Sequence, residues 1–343
     1  MTDLTLSDLG WSNFHLSQLD LEELEEFQPA RISAVQRAGV TVITPEKTLE
    51  VGMPPDLSTG DVAVGDWVLI NPDMNRIERV LDRTALLRRG NDHRSSHDQL
   101  IAANVDTLFI TTSCNADFNV ARIERYLALA HDADIQPVVL LTKMDQAEDP
   151  QSYVDKAQAL GRTLDVLAIN AKSKTVSERL APWIGKGQTV ALAGSSGVGK
   201  TTVANALTGG TALTQDIRED DARGRHTTTA RSLHRITEGG WLIDTPGMRG
   251  LGVADVAAGI EATFSEITDL AERCKFRDCE HDSEPGCAVQ AAIAEGDIDP
   301  DRLYRYKKLK REDAYATETV AQARDRYRKL GKMYRSAQSR KKR

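Results

Sequence analysis

No apolar run in this chain approaches the roughly 20 residues that a membrane span requires. The opening, "MTDLTLSDLGWSNF", has no basic n-region followed by an apolar h-region, so no secretory signal is read there. Only four cysteines occur in 343 residues, and three of them crowd into one short segment. That distribution argues against a disulfide framework and for a metal site in a reducing compartment. No internal repeat is visible. The expectation is a cytoplasmic protein of ordinary hydrophobic content (40%), long enough for two or three domains.

Charge is unevenly placed. The chain carries a net −7, yet residues 301–343 hold sixteen Lys/Arg against five Asp/Glu and five of the seven tyrosines. A basic, tyrosine-bearing tail on an acidic body suggests a polyanion partner; a solvated helix with its tyrosines turned inward is the competing reading.

Four regions emerge from the pattern. Residues 1–29 read as an acidic helical arm, "SQLDLEELEEF", which either packs on the body or docks a partner. Residues 30–90 contain about five short Val/Ile/Thr-rich runs broken by Gly, Pro, Asn and Asp, which predicts a small β-barrel, OB-fold-like or SH3-like. The polar stretch 88–99, with Arg88, Arg89, His93, Arg94 and His97, reads as an exposed linker. Residues 100–252 alternate strands with helices near 119–133, 150–160, 176–184 and 199–207, which predicts a parallel α/β sheet with ligands at the strands' carboxyl ends. Residues 253–343 read as largely helical around the cysteine cluster, ending in the basic tail.

The chemistry begins at "LAGSSGVGKTT", an apolar strand, a glycine-rich turn and a helix start. Gly194, Ser195, Ser196, Gly197, Val198 and Gly199 form a loop whose backbone N–H groups face phosphate oxygens; Lys200 reaches the β- and γ-phosphates, Thr201 ligates Mg²⁺, and Thr202 continues the motif. "WLIDTPG" places Asp244 at a strand end, 44 residues after Lys200, to hold Mg²⁺, with the Gly247 N–H sensing the γ-phosphate. Between them, "DARGRHTTTARSL" is the expected switch loop, where Thr228 is favoured among Thr227, Thr228 and Thr229 as the further Mg²⁺ ligand.

The guanine reader stands upstream. Thr142-Lys143-Met144-Asp145 follows an apolar strand, and Asp145 accepts two hydrogen bonds from a guanine ring, a donor pair that adenine lacks. Asn170-Ala171-Lys172 ends the next strand, as the second base loop does. The phosphate loop begins at Gly194, 52 residues after Thr142, the reverse of the usual GTPase order. A circular permutation accounts for this, since the ends of a compact domain are often adjacent. It sends the chain straight from the second switch into the C-terminal region, so that switch movement could pull directly on that region.

The C-terminal region carries Cys274-x₄-Cys279-x-His281-x₅-Cys287, three thiolates and one imidazole. That donor set fills a tetrahedral Zn²⁺ shell and leaves no open position, which makes the site structural. Cys114 reads as a buried strand-end thiol.

The permuted order, "GSSGVGKTT", "GRHTTT", "DTPG" and "C-x₄-C-x-H-x₅-C" together resemble the ribosome small-subunit-dependent GTPase A (RsgA, or YjeQ) family over residues 30–290. The resemblance implies an OB-fold, a permuted G domain and a helical zinc domain. It implies a late assembly factor of the small ribosomal subunit that binds GTP and ribosomal RNA, works as a monomer, and is activated by the subunit. It further implies that His226 in the first switch positions water, because Met248 stands where other GTPases carry glutamine. Thr142 in place of the commoner Asn is expected to lose a loop-bracing amide. The acidic arm and the basic tail lie outside the recognised pattern. A P-loop small-molecule kinase, or a zinc-dependent RNA-binding protein with a degenerate P-loop, are the alternatives.

Overall fold

The computed structural model describes residues 4–36, 39–89, 99–210, 231–244, 254–318 and 328. The chain divides into two compact units: Met1–Arg88 with Leu100–Leu251 and Ala258–Ser265, and Arg89–Gln99 with Gly252–Ala257 and Glu266–Arg343.

The arm contains two short helices, α1 (Asn13–Leu16) and α2 (Leu21–Glu26). Each starts on a capping box, Ser12 with His15 and Asp20 with Glu23. Its first half is tied to the body. Leu9 and His15 are buried, Trp11 meets Trp67 edge-on, and the Trp241 indole N–H donates to the Asp8 carbonyl at 2.7 Å. His15 Nδ1 accepts from the Ser12 N–H, and burial lowers its pKa to about 4. The second half is tied by polar contacts instead, Glu23 pairing with Arg79 at 2.9 Å and the Gln18 side chain accepting from the Asp82 N–H at 2.6 Å, while Leu21 and Leu24 are exposed. The arm therefore packs on the body, one of the two roles its sequence allowed.

The barrel strands are β1 (Gln28–Val35), β2 (Val40–Ile43), β3 (Thr48–Val51), β4 (Trp67–Asn71) and β5 (Arg76–Val80). β1 pairs antiparallel with both β2 and β4, β2 with β3, and β4 with β5. A parallel bridge between Gly52 and Arg76 closes the ring in the order β1-β2-β3-β5-β4. That is OB-type connectivity around a core of Ile32, Val42, Val68, Ile70 and Ile77. Next come β6 (Leu86–Arg89) and β7 (Gln99–Ala103), which form a two-stranded ribbon.

The G-domain elements continue as β8 (Thr107–Ser113), α3 (Val120–Asp132), β9 (Gln136–Thr142), α4 (Pro150–Gln158), β10 (Asp165–Ala168), α5 (Val176–Leu180), β11 (Thr189–Ala193), α6 (Lys200–Thr208), β12 (Ser232–Arg235) and β13 (Trp241–Asp244). β10, β9, β8, β11 and β13 lie side by side, all parallel. β9 is largely buried along its Val/Leu run, and β8 is wholly buried, Leu108, Phe109 and Ile110 together with the hydroxyl residues Thr107, Thr111, Thr112 and Ser113. From β8 the chain winds outward through β9 to β10; from β11 it winds the other way to β13. The reversal between β8 and β11 opens a crevice at the strands' carboxyl ends, where ligands bind in such sheets.

β12 runs antiparallel to β13, and Ala34 of β1 pairs with Ser232 of β12, so the barrel and the G domain share one continuous sheet. Arg31, fully buried at this seam, donates to the Leu9 carbonyl (2.6 Å), the Thr189 hydroxyl (2.8 Å), and the Asn104 and Gly65 carbonyls (3.3 Å each). Burial lowers its pKa to about 10, against the pull of Asp106 and Asp66, so it stays charged at neutral pH. One guanidinium thus ties the arm, the barrel and the strand leading to the phosphate loop.

The remaining helices are α7 (Ala257–Thr263), α8 (Ser265–Ala271), α9 (Ala288–Glu295) and α10 (Pro300–Ala316). α7 packs against α3: a Cβ on Gly259 would lie 2.0 Å from the Ala128 carbonyl, and His131 Nδ1 meets the Thr263 hydroxyl at 2.9 Å. The chain that leaves β13 is therefore packed on α3 again from Gly259 onward.

Candidate functional site

Three loops meet the crevice edge in the described residues. The first follows β11. Gly194, Gly197 and Gly199 all have positive φ, and Gly199 caps α6. At Gly194 there is no room for a side chain, because a Cβ would stand 2.1 Å from the Thr111 carbonyl of β8. Val198 is buried beneath the loop, while Ser196, Gly197 and Thr201 are exposed and Ser195, Gly199, Lys200 and Thr202 are half-buried. The Lys200 ammonium folds over the loop and donates to the Gly194 (2.8 Å) and Ser195 (2.5 Å) carbonyls. A phosphate entering the loop would find that cation and the α6 N-terminus already aimed at it.

The second loop follows β9. Lys143 adopts the left-handed conformation (φ 57°), uncommon for a residue with a side chain, and leads into a single 3-10 turn carrying Met144 and Asp145. Asp145 is exposed at the sheet edge. The third loop follows β10. The Asn170 carboxamide oxygen accepts from the Lys172 N–H at 3.0 Å, which turns the chain while Ala171 is buried.

Thr142 links the first two loops. Its hydroxyl lies 2.5 Å from the Val198 carbonyl and 3.1 Å from the Thr112 carbonyl, and its methyl and hydroxyl pack against Gly199. Threonine lacks the bracing amide of asparagine, as expected. Its short hydroxyl reaches the loop all the same, because β8 and β9 pair in register, Ser113 opposite Thr142. Thr142→Val should leave a buried carbonyl unpaired and weaken nucleotide binding about 5- to 50-fold. Thr142→Asn should bind within a few-fold of the parent. Titration calorimetry with GDP distinguishes them, and a valine variant as tight as the parent would remove the brace.

Two contributors were missed in the sequence. Tyr126, buried on α3, accepts a hydrogen bond from the Gly194 backbone, and burial pushes its pKa up. His234 on β12 meets the Ser232 hydroxyl at 2.7 Å; burial lowers its pKa while Asp244 opposes that shift. Neither residue carries a motif signal, since each acts through packing of distant segments. Asp244 is half-buried at the end of β13. His226, Thr227, Thr228, Thr229, Gly247 and Met248 lie outside the described residues. Cys114 is buried just after β8, and burial raises its thiol pKa.

In the second unit, Cys274, Cys279, His281 and Cys287 place their donor atoms within 4.8 Å of one another. Cys274 and Cys287 sulfurs are 3.9 Å apart, and they stand 3.6 and 3.5 Å from His281 Nδ1. A zinc tetrahedron with ordinary bond lengths has S–S edges of about 3.8 Å and S–N edges of about 3.6 Å. The donor set therefore fits that metal. The loop is pre-set by Glu284, whose carboxylate takes the N–H groups of Glu280, Asp282 and Ser283 and is lowered to about 2, the Glu280 N–H contributing most. The Gln290 side chain donates to the His281 carbonyl at 2.6 Å.

Comparisons with known proteins agree with this geometry. The sequence model of the RsgA GTPase family matches residues 80–254. The small ribosomal subunit biogenesis GTPase RsgA of Mesorhizobium japonicum is 53% identical over 318 residues, 91% of each chain. RsgA 2 of Vibrio vulnificus is 47% identical over 336 residues, 98% of this chain and 95% of that one. With so much of the chain matched, the greater part of the arm and tail falls inside the length shared with that relative, a correction to the sequence reading. Among solved structures, YjeQ from Thermotoga maritima superposes with a TM-score of 0.62 at 26% identity, covering 82% of this chain and 97% of that one. YloQ, described as a circularly permuted GTPase, gives 0.60 at 24% identity over 86% and 97%.

Proposed function

This chain belongs to the RsgA GTPase family, and from that premise we propose that it hydrolyses GTP as an assembly factor of the small ribosomal subunit, activated by the subunit and released after hydrolysis. The observation that carries the reading is the meeting of base-side and phosphate-side loops on one edge of a parallel sheet, joined by Thr142.

The chain's residues divide the labour. Lys143 and Asp145 hold guanine, with Asn170, Ala171 and Lys172 closing its far side. The amides of 194–200 and the Lys200 ammonium neutralise the β- and γ-phosphates as charge shifts toward the leaving oxygen. Magnesium bound with the nucleotide supplies further neutralisation and would be held by Thr201, Asp244 and Thr228. The Gly247 N–H reads the γ-phosphate, and His226 positions the attacking water in place of the missing glutamine. In the second unit the Cys₃His set holds one structural zinc, and the basic C-terminal residues favour ribosomal RNA as the docking surface.

With no glutamine after Gly247, intrinsic turnover should be about 10⁻⁴ to 10⁻² s⁻¹, rising steeply as purified small subunits are titrated in. A rate that stays flat across the titration overturns the assembly reading. His226→Ala should keep nucleotide affinity and lose the stimulated rate; full stimulation of that variant would reassign the water-positioning role.

A further inference from the structure

α10 divides its side chains sharply. Arg302, Leu303, Tyr306, Leu309 and Asp313 are buried; Arg302 pairs with Glu266 at 2.7 Å, and Asp313 accepts from the Val256 N–H at 3.0 Å. Tyr304, Lys308, Arg311 and Tyr315 are all exposed, and their spacing of four, three and four residues sets them in one stripe along the helix. Tyr304 is 60% and Tyr315 49% exposed. The rise of a helix puts the two rings about 16 Å apart along the axis, with both cations between them. Lys307 pairs with Asp282 of the cysteine loop and Lys310 lies over the Tyr306 ring, while the Arg311 Nε–H donates to the Lys307 carbonyl at 3.3 Å within the helix.

The stripe therefore presents two exposed rings with two exposed cations between them. We propose that this stripe binds an unpaired stretch of RNA, one base stacking on Tyr304, another on Tyr315, with the intervening phosphates on Lys308 and Arg311. Bases within an A-form duplex keep their faces covered, so only splayed bases reach a tyrosine ring. The length of the stripe suits the short end of single-strand sites, about 4 nucleotides. The charge continues in the same sense, since residues 319–343 add ten Lys/Arg and one Asp. The inference deepens the proposed function, on which the ribosomal origin of the RNA rests.

The test uses the full chain, metal-loaded, with fluorescent oligouridine and a blunt RNA duplex, followed by anisotropy across a salt series. Tyr304→Ala/Tyr315→Ala should weaken oligouridine binding at least about 30-fold, leave its salt slope unchanged and spare the duplex. Tyr304→Phe/Tyr315→Phe should bind like the parent, because a phenyl ring stacks equally well. Lys308→Gln/Arg311→Gln should flatten the log–log salt slope by about 1.4. In the unaltered chain, 4-thiouridine placed in the oligonucleotide should crosslink to Tyr304 or Tyr315. An alanine pair that binds oligouridine like the parent, or crosslinks that avoid both tyrosines, overturns the stripe. Hydrolysis with small subunits is measured on the same preparations. An unstimulated parent chain refutes the assembly reading alone, and a stimulated chain with dispensable tyrosines refutes the stripe alone.

Discussion

Metal removal is expected to unfold the second unit. Three thiolates and one imidazole come from a 14-residue segment whose described contacts are mostly local: the Glu284 carboxylate, the Gln290 side chain and the Lys307–Asp282 pair. Such a loop has little apolar surface to hold it closed. Structural zinc in peptides of this kind contributes about 10–16 kcal/mol at neutral pH, more than the whole stability of many domains. A strong chelator, or Cys279→Ser, should therefore raise amide exchange throughout α8, α9 and α10 and lower the melting temperature by about 10 °C or more. Nucleotide affinity should change by no more than a few-fold, because the three loops of the proposed nucleotide site lie in the other unit. Reloading with Co²⁺ should restore protection and give the visible absorption of a tetrahedral thiolate site. Unchanged exchange in α8–α10 after verified metal loss would show that the cluster is not structural.

The second large effect is at Asp145. In the proposed function its carboxylate accepts from two guanine donors, the ring N–H and the exocyclic amine. Asp145→Asn replaces one acceptor oxygen with an amine that faces the guanine amine donor to donor. GTP affinity should fall about 10³- to 10⁵-fold, the range seen when a site built for a hydrogen bond meets an unmatched partner. Xanthosine triphosphate carries a carbonyl where guanosine has the amine, so the same variant should prefer it and hydrolyse it. Competition binding with both nucleotides reads the exchange directly. Equal weakening toward both would mean that the turn after Lys143 had collapsed rather than changed its specificity.

Much of this was legible in the chain itself. The strand runs before Thr142, Gly194 and Asp244 are apolar enough to be central parallel strands, the shorter run before Asn170 forms the sheet's edge, and each leads into residues of defined chemistry. The barrel strands announced themselves by Val/Ile runs between turn residues, and the cysteine spacing named its own donor set. Motif order alone implied the permutation, because loop identity depends on local sequence and not on where the chain is cut.

Other features depended on contacts between residues far apart in sequence. Nothing local indicates that Arg31 would be buried among the arm, the barrel and β11, since arginine is ordinarily exposed and its partners lie as many as 158 positions away. The OB-type closure required the Gly52–Arg76 bridge, and the continuity of barrel and G domain required Ala34 opposite Ser232. Thr142 could be judged a weak substitute for asparagine until the register of β8 and β9 brought its hydroxyl to Val198. The tail's tyrosines were ambiguous in composition, and the helix phase set by Leu303, Tyr306 and Leu309 turned Tyr306 inward and left Tyr304 and Tyr315 outside. Short-range chemistry, carried by residue type and spacing, was determined by the sequence alone. Which of those groups are buried, braced or presented was decided by tertiary packing, because burial and long-range hydrogen bonds exist only once distant segments are brought together.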